Sequence, residues 1–118
     1  MTDFMRKSFD QPDESHDFPL VKMDILNVGD WNVYRYTFKP GWRWTEHAAP
    51  YAETEICEEL HPLWTVLSGR FIVQMNDGRK EEFGPGEIGY LPPGHDAWVV
   101  GDEPVVAIDF QPLSLNGS

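Results

Sequence analysis

Three histidines, one cysteine and a cluster of glutamates are the side chains here whose types carry chemistry. His47, His61 and His95 lie in the body of the chain, and neutral imidazole is a common ligand for zinc, iron, copper or nickel. Three such rings around an ion with an open position would accept a water, O₂ or a chelating substrate. Cys57 stands between His47 and His61 and offers a soft extra ligand, although a lone loop cysteine is more often a bystander. Glu46, Glu55, Glu58 and Glu59 surround it and could supply a carboxylate ligand or a general base. Glu55, beside apolar Ile56 and central in its segment, is the candidate catalytic group; a solvated acidic loop is the plainer reading. His16 sits in a polar stretch and reads as solvated.

Five tryptophans in 118 residues need places. Trp42 and Trp44 flank Arg43 and would share one face of a strand. With Trp64, Trp98 and Tyr36 they are candidates for the wall of an aromatic cavity, which suits a small organic ligand. Ordinary core and interface is the alternative for each.

These groups must be positioned by a single domain, which is what 118 residues with 41% hydrophobic content allow. The net charge of −11 repels phosphate backbones and anionic lipid, so neither nucleic acid nor membrane is an expected partner. No apolar run approaches the ~20 residues of a bilayer span. The first residues show no secretory pattern, and the single cysteine fits a reducing compartment. The expected location is the cytoplasm.

Residues 1–17 are polar and read as an arm able to serve as an edge or exchanged strand; 18–118 read as the folded domain. "LVKMDIL", the turn "NVGD" and "WNVYRYTF" follow, with Tyr34, Tyr36 and Phe38 on one face of the last. "LWTVLSGRFIVQM" holds two strands bent at Ser68-Gly69. The Asp-Gly of "NDGR" predicts a type I′ hairpin turn. "EIGYL", "AWVV" and "VVAIDF" complete the strands. The best helical candidate is the short "AETEICEEL". Short strands with regular turns predict an all-β antiparallel sandwich or barrel.

Gly86, Pro92 and Gly94 in "GPGEIGYLPPGHDAWVV" resemble the second signature of the cupin superfamily: Gly, five residues, Pro, any, Gly, two residues, His. The histidine slot holds Ala97, and the histidine present is His95, two residues earlier. Gly41 and His47 match the start of the first cupin signature, whose second histidine slot holds Ala49. Counting back from Gly69, its glutamate slot holds Pro62, beside His61. The wider string is similar to small bacterial single-domain cupins of undefined activity. The resemblance implies an antiparallel double-stranded β-helix, a jelly-roll barrel with a cavity at one mouth. There cupins commonly hold a divalent metal through three histidines and a glutamate, and they often dimerise through an edge strand.

Neighbours can stand in for the replaced ligands. Strand residues two apart share a face, so His95 points the same way as Ala97. His61 has the wrong parity for its slot unless a bulge or the preceding insertion shifts the pairing. The expectation is a cytosolic, homodimeric cupin barrel that binds a small molecule and holds zinc, iron, manganese or nickel through His47, His61 and His95. The alternative is an iron-type dioxygenase, with a carboxylate of the Glu55–Glu59 loop moving protons. A barrel whose histidines only bond backbone remains the bland reading.

Overall fold

Apolar residues recurring at every second position, cut by glycine and proline, fold here into strands that pair only with antiparallel neighbours. The computed structural model describes residues 4–116. Residues 1–3 of the expected arm and 117–118 of the expected domain lie outside the described residues. The strands are β1 (Glu14–Phe18), β2 (Val21–Val28), β3 (Trp31–Phe38), β4 (His61–Ser68), β5 (Phe71–Met75), β6 (Lys80–Phe83), β7 (Ile88–Leu91), β8 (His95–Val99) and β9 (Val105–Pro112). One sheet runs β1-β2-β3-β9-β4-β7 and the other β6-β5-β8. No helix among the described residues is long and apolar enough to cross a membrane.

The core lies between the two sheets. Phe38 from β3, Trp64 and Val66 from β4 and Val105 and Ala107 from β9 meet Phe71 and Val73 from β5 and Ala97 and Val99 from β8. Tyr34, Tyr36 and Phe38 stack in a row along one face of β3, as strand alternation requires. Phe38 continues the stack onto Phe71 at 4.8 Å between ring centroids. Strands β4 and β5 meet at a bend that only glycine fits. Gly69 has φ +78°, and a Cβ there would collide with the Pro104 carbonyl oxygen.

Glu14–Phe18 form a single edge ladder with β2, so the sheet begins before residue 18. Asp24, buried on β2, ties three strands by accepting from Ser15 Oγ at 2.7 Å and from Arg35 at 2.8 Å.

Three local expectations are corrected. The "NDGR" turn is not type I′: Gly78 alone has positive φ, and its N–H donates to Met75 O at 2.9 Å. This is the three-residue hairpin with glycine in the left-handed position. Trp42 and Trp44 do not share a strand. The chain turns at Gly41 (φ +92°), Arg43 makes an isolated bridge to Trp98, and Trp44–His47 is the helical turn α1. Helix α2 is Ala49–Ala52, earlier than "AETEICEEL" suggests. Pro50 sits in its first turn, and Glu53 at φ 61° ends it.

An outward network fixes α1 against β8. The Arg43 guanidinium donates to Asp96 at 2.8 Å and lies 4.4 Å above the Trp98 ring, and Asp96 also accepts from the Thr45 N–H. Phe71, 2% exposed at the centre of the aromatic cluster, is the keystone of the core. Phe71→Ala is expected to lower unfolding free energy by about 3–5 kcal/mol in urea denaturation; a loss below about 1 kcal/mol would contradict this packing.

Candidate metal centre

The barrel holds a half-open cavity of about 240 Å³. Aromatic and aliphatic side chains make most of its wall, among them Phe38, Trp42, Trp44, Tyr36, Trp64 and Leu91. Apart from tyrosine hydroxyls and tryptophan N–H groups, its polar members are His47, His61, His95 and Glu59. The Nε1 atoms of Trp42 and Trp64, unpartnered among the described residues, are buried and do not open onto it.

His61 opens β4 and faces inward because the β4–β7 pairing shifts register between His61 and Trp64. The bulge brings residues 61, 64 and 66 to the same buried side, which resolves the parity conflict seen in the sequence. Its Nδ1–H donates to Asp109 Oδ2 at 2.7 Å. Asp109, on the central strand β9, has no exposed surface. The same oxygen accepts from Gln111 Nε2 at 2.9 Å, and the other oxygen has no partner among the described residues. With Nδ1 committed to a carboxylate, His61 turns Nε2 toward Cys57 Sγ, 3.8 Å away.

His95 opens β8, directly behind Pro92-Pro93-Gly94. Its Nδ1–H donates to Pro92 O at 2.7 Å, so the rigid turn holds the ring and leaves Nε2 as the free nitrogen. It lies on the same inward side of β8 as Ala97, and both line the cavity. The two rings stand 5.6 Å apart between centroids.

Cys57 is placed by backbone. It forms an isolated bridge with His95, its N–H donating to His95 O at 2.8 Å while its carbonyl accepts from the Gly94 and His95 N–H groups. The thiol is 1% exposed. Ligand atoms of Cys57, His61 and His95 all lie within 4.8 Å of one another. Burial raises the cost of the thiolate, but hydrogen bonds from His61 and His95 outweigh it and bring the thiol down from 9.0 to about 7. Burial alone would lower His61; its bonds to Asp109 and Cys57 win and raise it from 6.5 to about 10. Without a metal the pair becomes an imidazolium and a thiolate as pH rises through about 7, and a metal taking Nε2 must release the imidazolium proton.

The histidines expected to act together are divided. His61 and His95 meet, and Cys57 completes the group. His47 lines the cavity, but its Nδ1 accepts the Arg43 backbone N–H at 3.0 Å. Glu55 is exposed and does not line the cavity; Glu59 of the same loop does. Trp44, Trp64 and Tyr36 line it as well. Trp98 does not, because β8 alternates and turns Trp98 and Asp96 outward while His95, Ala97 and Val99 face in. Asp109 and Gln111 belong to no motif in the sequence; an acidic residue within the apolar run "VVAIDF" is the one signal of the buried carboxylate.

No protein-family profile matches the chain, and no curated protein matches it in sequence. Solved structures do resemble it. A Rhizobium leguminosarum protein of unknown function superposes with a TM-score of 0.66 at 19% identity, over 94% of this chain and 98% of that one. A sugar phosphate isomerase of the cupin superfamily from Silicibacter pomeroyi gives 0.59 at 14% identity, over 80% of this chain and 60% of its own. The fold is that of the cupins. The Lactobacillus farciminis oxalate decarboxylase, in its formate complex, gives 0.62 at 18% identity over 84% of this chain. The chain matches only 30% of the decarboxylase chain.

In metal-free protein the ultraviolet thiolate absorbance is expected to rise with pH about a midpoint near 7. His61→Gln removes one of the stabilising partners, so its midpoint is expected to move up toward 9.0. A midpoint near 9 in the parent protein would contradict the pairing.

Proposed function

We propose that this barrel binds a small, largely apolar molecule beside a divalent transition-metal ion held by His61, His95 and Cys57. The observation that carries this is the convergence of three ligand atoms within 4.8 Å, with both imidazoles already fixed through Nδ1. Asp109 and the Pro92 carbonyl are the outer partners that orient metal-binding histidines and increase their basicity. The unpartnered second oxygen of Asp109 adds fixed negative charge behind the centre, which fits a cation. Two imidazoles and a thiolate suit zinc, iron or nickel better than manganese, which favours oxygen donors.

When bound, such an ion supplies Lewis acidity and coordination positions for a ligand or water. The chain's own residues do the rest. His61 and His95 border the cavity and Cys57 does not, so the thiol backs the centre and the imidazoles separate it from the ligand space. Trp42, Trp64 and Phe38 exclude water and present flat apolar surface.

Elemental analysis of purified protein is expected to give about one zinc, iron or nickel per chain. His61→Ala, His95→Ala and Cys57→Ala are each expected to lose it, while His47→Ala retains it. Asp109→Asn keeps the ligands but is expected to weaken metal affinity by about 10–100-fold in competition with a chelator. No metal in the parent after reconstitution with each ion would overturn the reading.

A further inference from the structure

His47 shares the cavity with the two metal-facing histidines, but its ring carries the opposite tautomer. A backbone N–H can only donate, and that of Arg43 points at His47 Nδ1 at 3.0 Å. Nδ1 also lies 3.2 Å from the Arg43 carbonyl oxygen. That oxygen already accepts from the Glu46 and His47 N–H groups, whereas the Arg43 N–H has no other partner among the described residues. Nδ1 is therefore the acceptor, and the proton of the neutral ring lies on Nε2. His61 and His95 show the reverse, since their Nδ1 atoms face oxygens that can only accept. Among the described residues, His47 Nε2 has no hydrogen-bond partner, and the half-buried ring borders a wall of mainly apolar side chains. A donor so placed gains when an acceptor enters the cavity.

The one ring of the wall held as a cation in metal-free protein, His61, already faces the Asp109 carboxylate and the Cys57 thiol. Among the described residues no lysine or arginine lines the cavity, and Arg43, the cation nearest in sequence to His47, is engaged by Asp96 and Trp98. A free carboxylate or phosphate would find no lysine or arginine in the wall, a His61 charge already met by Asp109 and Cys57, and a chain of net charge −11 around it.

We infer that His47 is the specificity-determining donor of this cavity, and that its ligand is an uncharged, largely apolar molecule carrying an oxygen acceptor such as a ketone carbonyl. This rests on the reading that the barrel binds a small molecule, but it needs no metal ligand from His47. The Nε2–H discriminates by pairing with the oxygen; a hydrocarbon of the same shape leaves it unpaired.

The test is calorimetric titration of the full chain, zinc-loaded and after chelation, with acetophenone, ethylbenzene and benzoate. In the chelated protein acetophenone is expected to bind about tenfold more tightly than ethylbenzene, the worth of one neutral hydrogen bond, and more tightly than benzoate. The preference over ethylbenzene is expected to vanish in His47→Phe and to persist in His47→Gln, which keeps an N–H donor. Equal binding of ketone and hydrocarbon, or a preference that survives His47→Phe, would overturn the inference while leaving small-molecule binding intact. Benzoate binding most tightly after chelation would overturn the charge class. Failure of all three probes to bind in either form would remove the small-molecule reading and this inference together.

Discussion

Asp109 sits on the central strand of the larger sheet, paired across to Tyr34 on one side and Trp64 on the other, with no surface open to water. Desolvating a carboxylate costs several kcal/mol, which is tolerated only when donors meet it. Here the donors are His61 Nδ1–H and the Gln111 amide, whose nitrogen also reaches Leu60 O. The pairing sets which nitrogen of His61 faces the centre, and thereby which way the opening of β4 must point. A hydrogen bond at the middle of a rigid strand thus dictates the chemistry at the cavity wall.

The other two members of the centre are held with equal economy of movement. Pro92-Pro93-Gly94 brings a carbonyl under the His95 ring, and Gly94 at φ +93° allows the chain to enter β8 immediately afterward. Cys57 has no strand of its own. It borrows one, by bridging to the backbone of His95. The three ligand atoms come from β4, β8 and the segment leading into β4, and each is fixed by a different local device. Such independent supports are what keep a constellation preorganised rather than collapsible.

Strand periodicity made the barrel legible, because period-two patterns and glycine turns are local properties. The segment from Trp42 to Glu53 was less so. Trp42 and Trp44 alternate as strand residues do, yet Gly41 and Pro50 turn the chain into two short helical turns. In the centre, His61 and His95 were recognisable by type and by their neighbouring slots. Cys57 is harder to place from sequence, since its position depends on a bridge to a residue far along the chain. His47 shows the deeper limit: its ring type fits a ligand, but its tautomer is decided by one backbone N–H that no spacing rule reveals. Glu55 and Glu59 differ in the same way, for only the folded loop decides which of them reaches the wall.

Cobalt substitution tests the centre most directly, because a thiolate ligand gives cobalt(II) a charge-transfer absorption in the near ultraviolet that nitrogen and oxygen donors do not. The cobalt-loaded chain is expected to show that band together with intense visible absorption of a four-coordinate ion. The thiolate band is expected to be lost in Cys57→Ser and unchanged in His47→Gln. A weak, six-coordinate spectrum without the thiolate band, or one that changes with His47 and not with Cys57, would contradict a centre built from Cys57, His61 and His95.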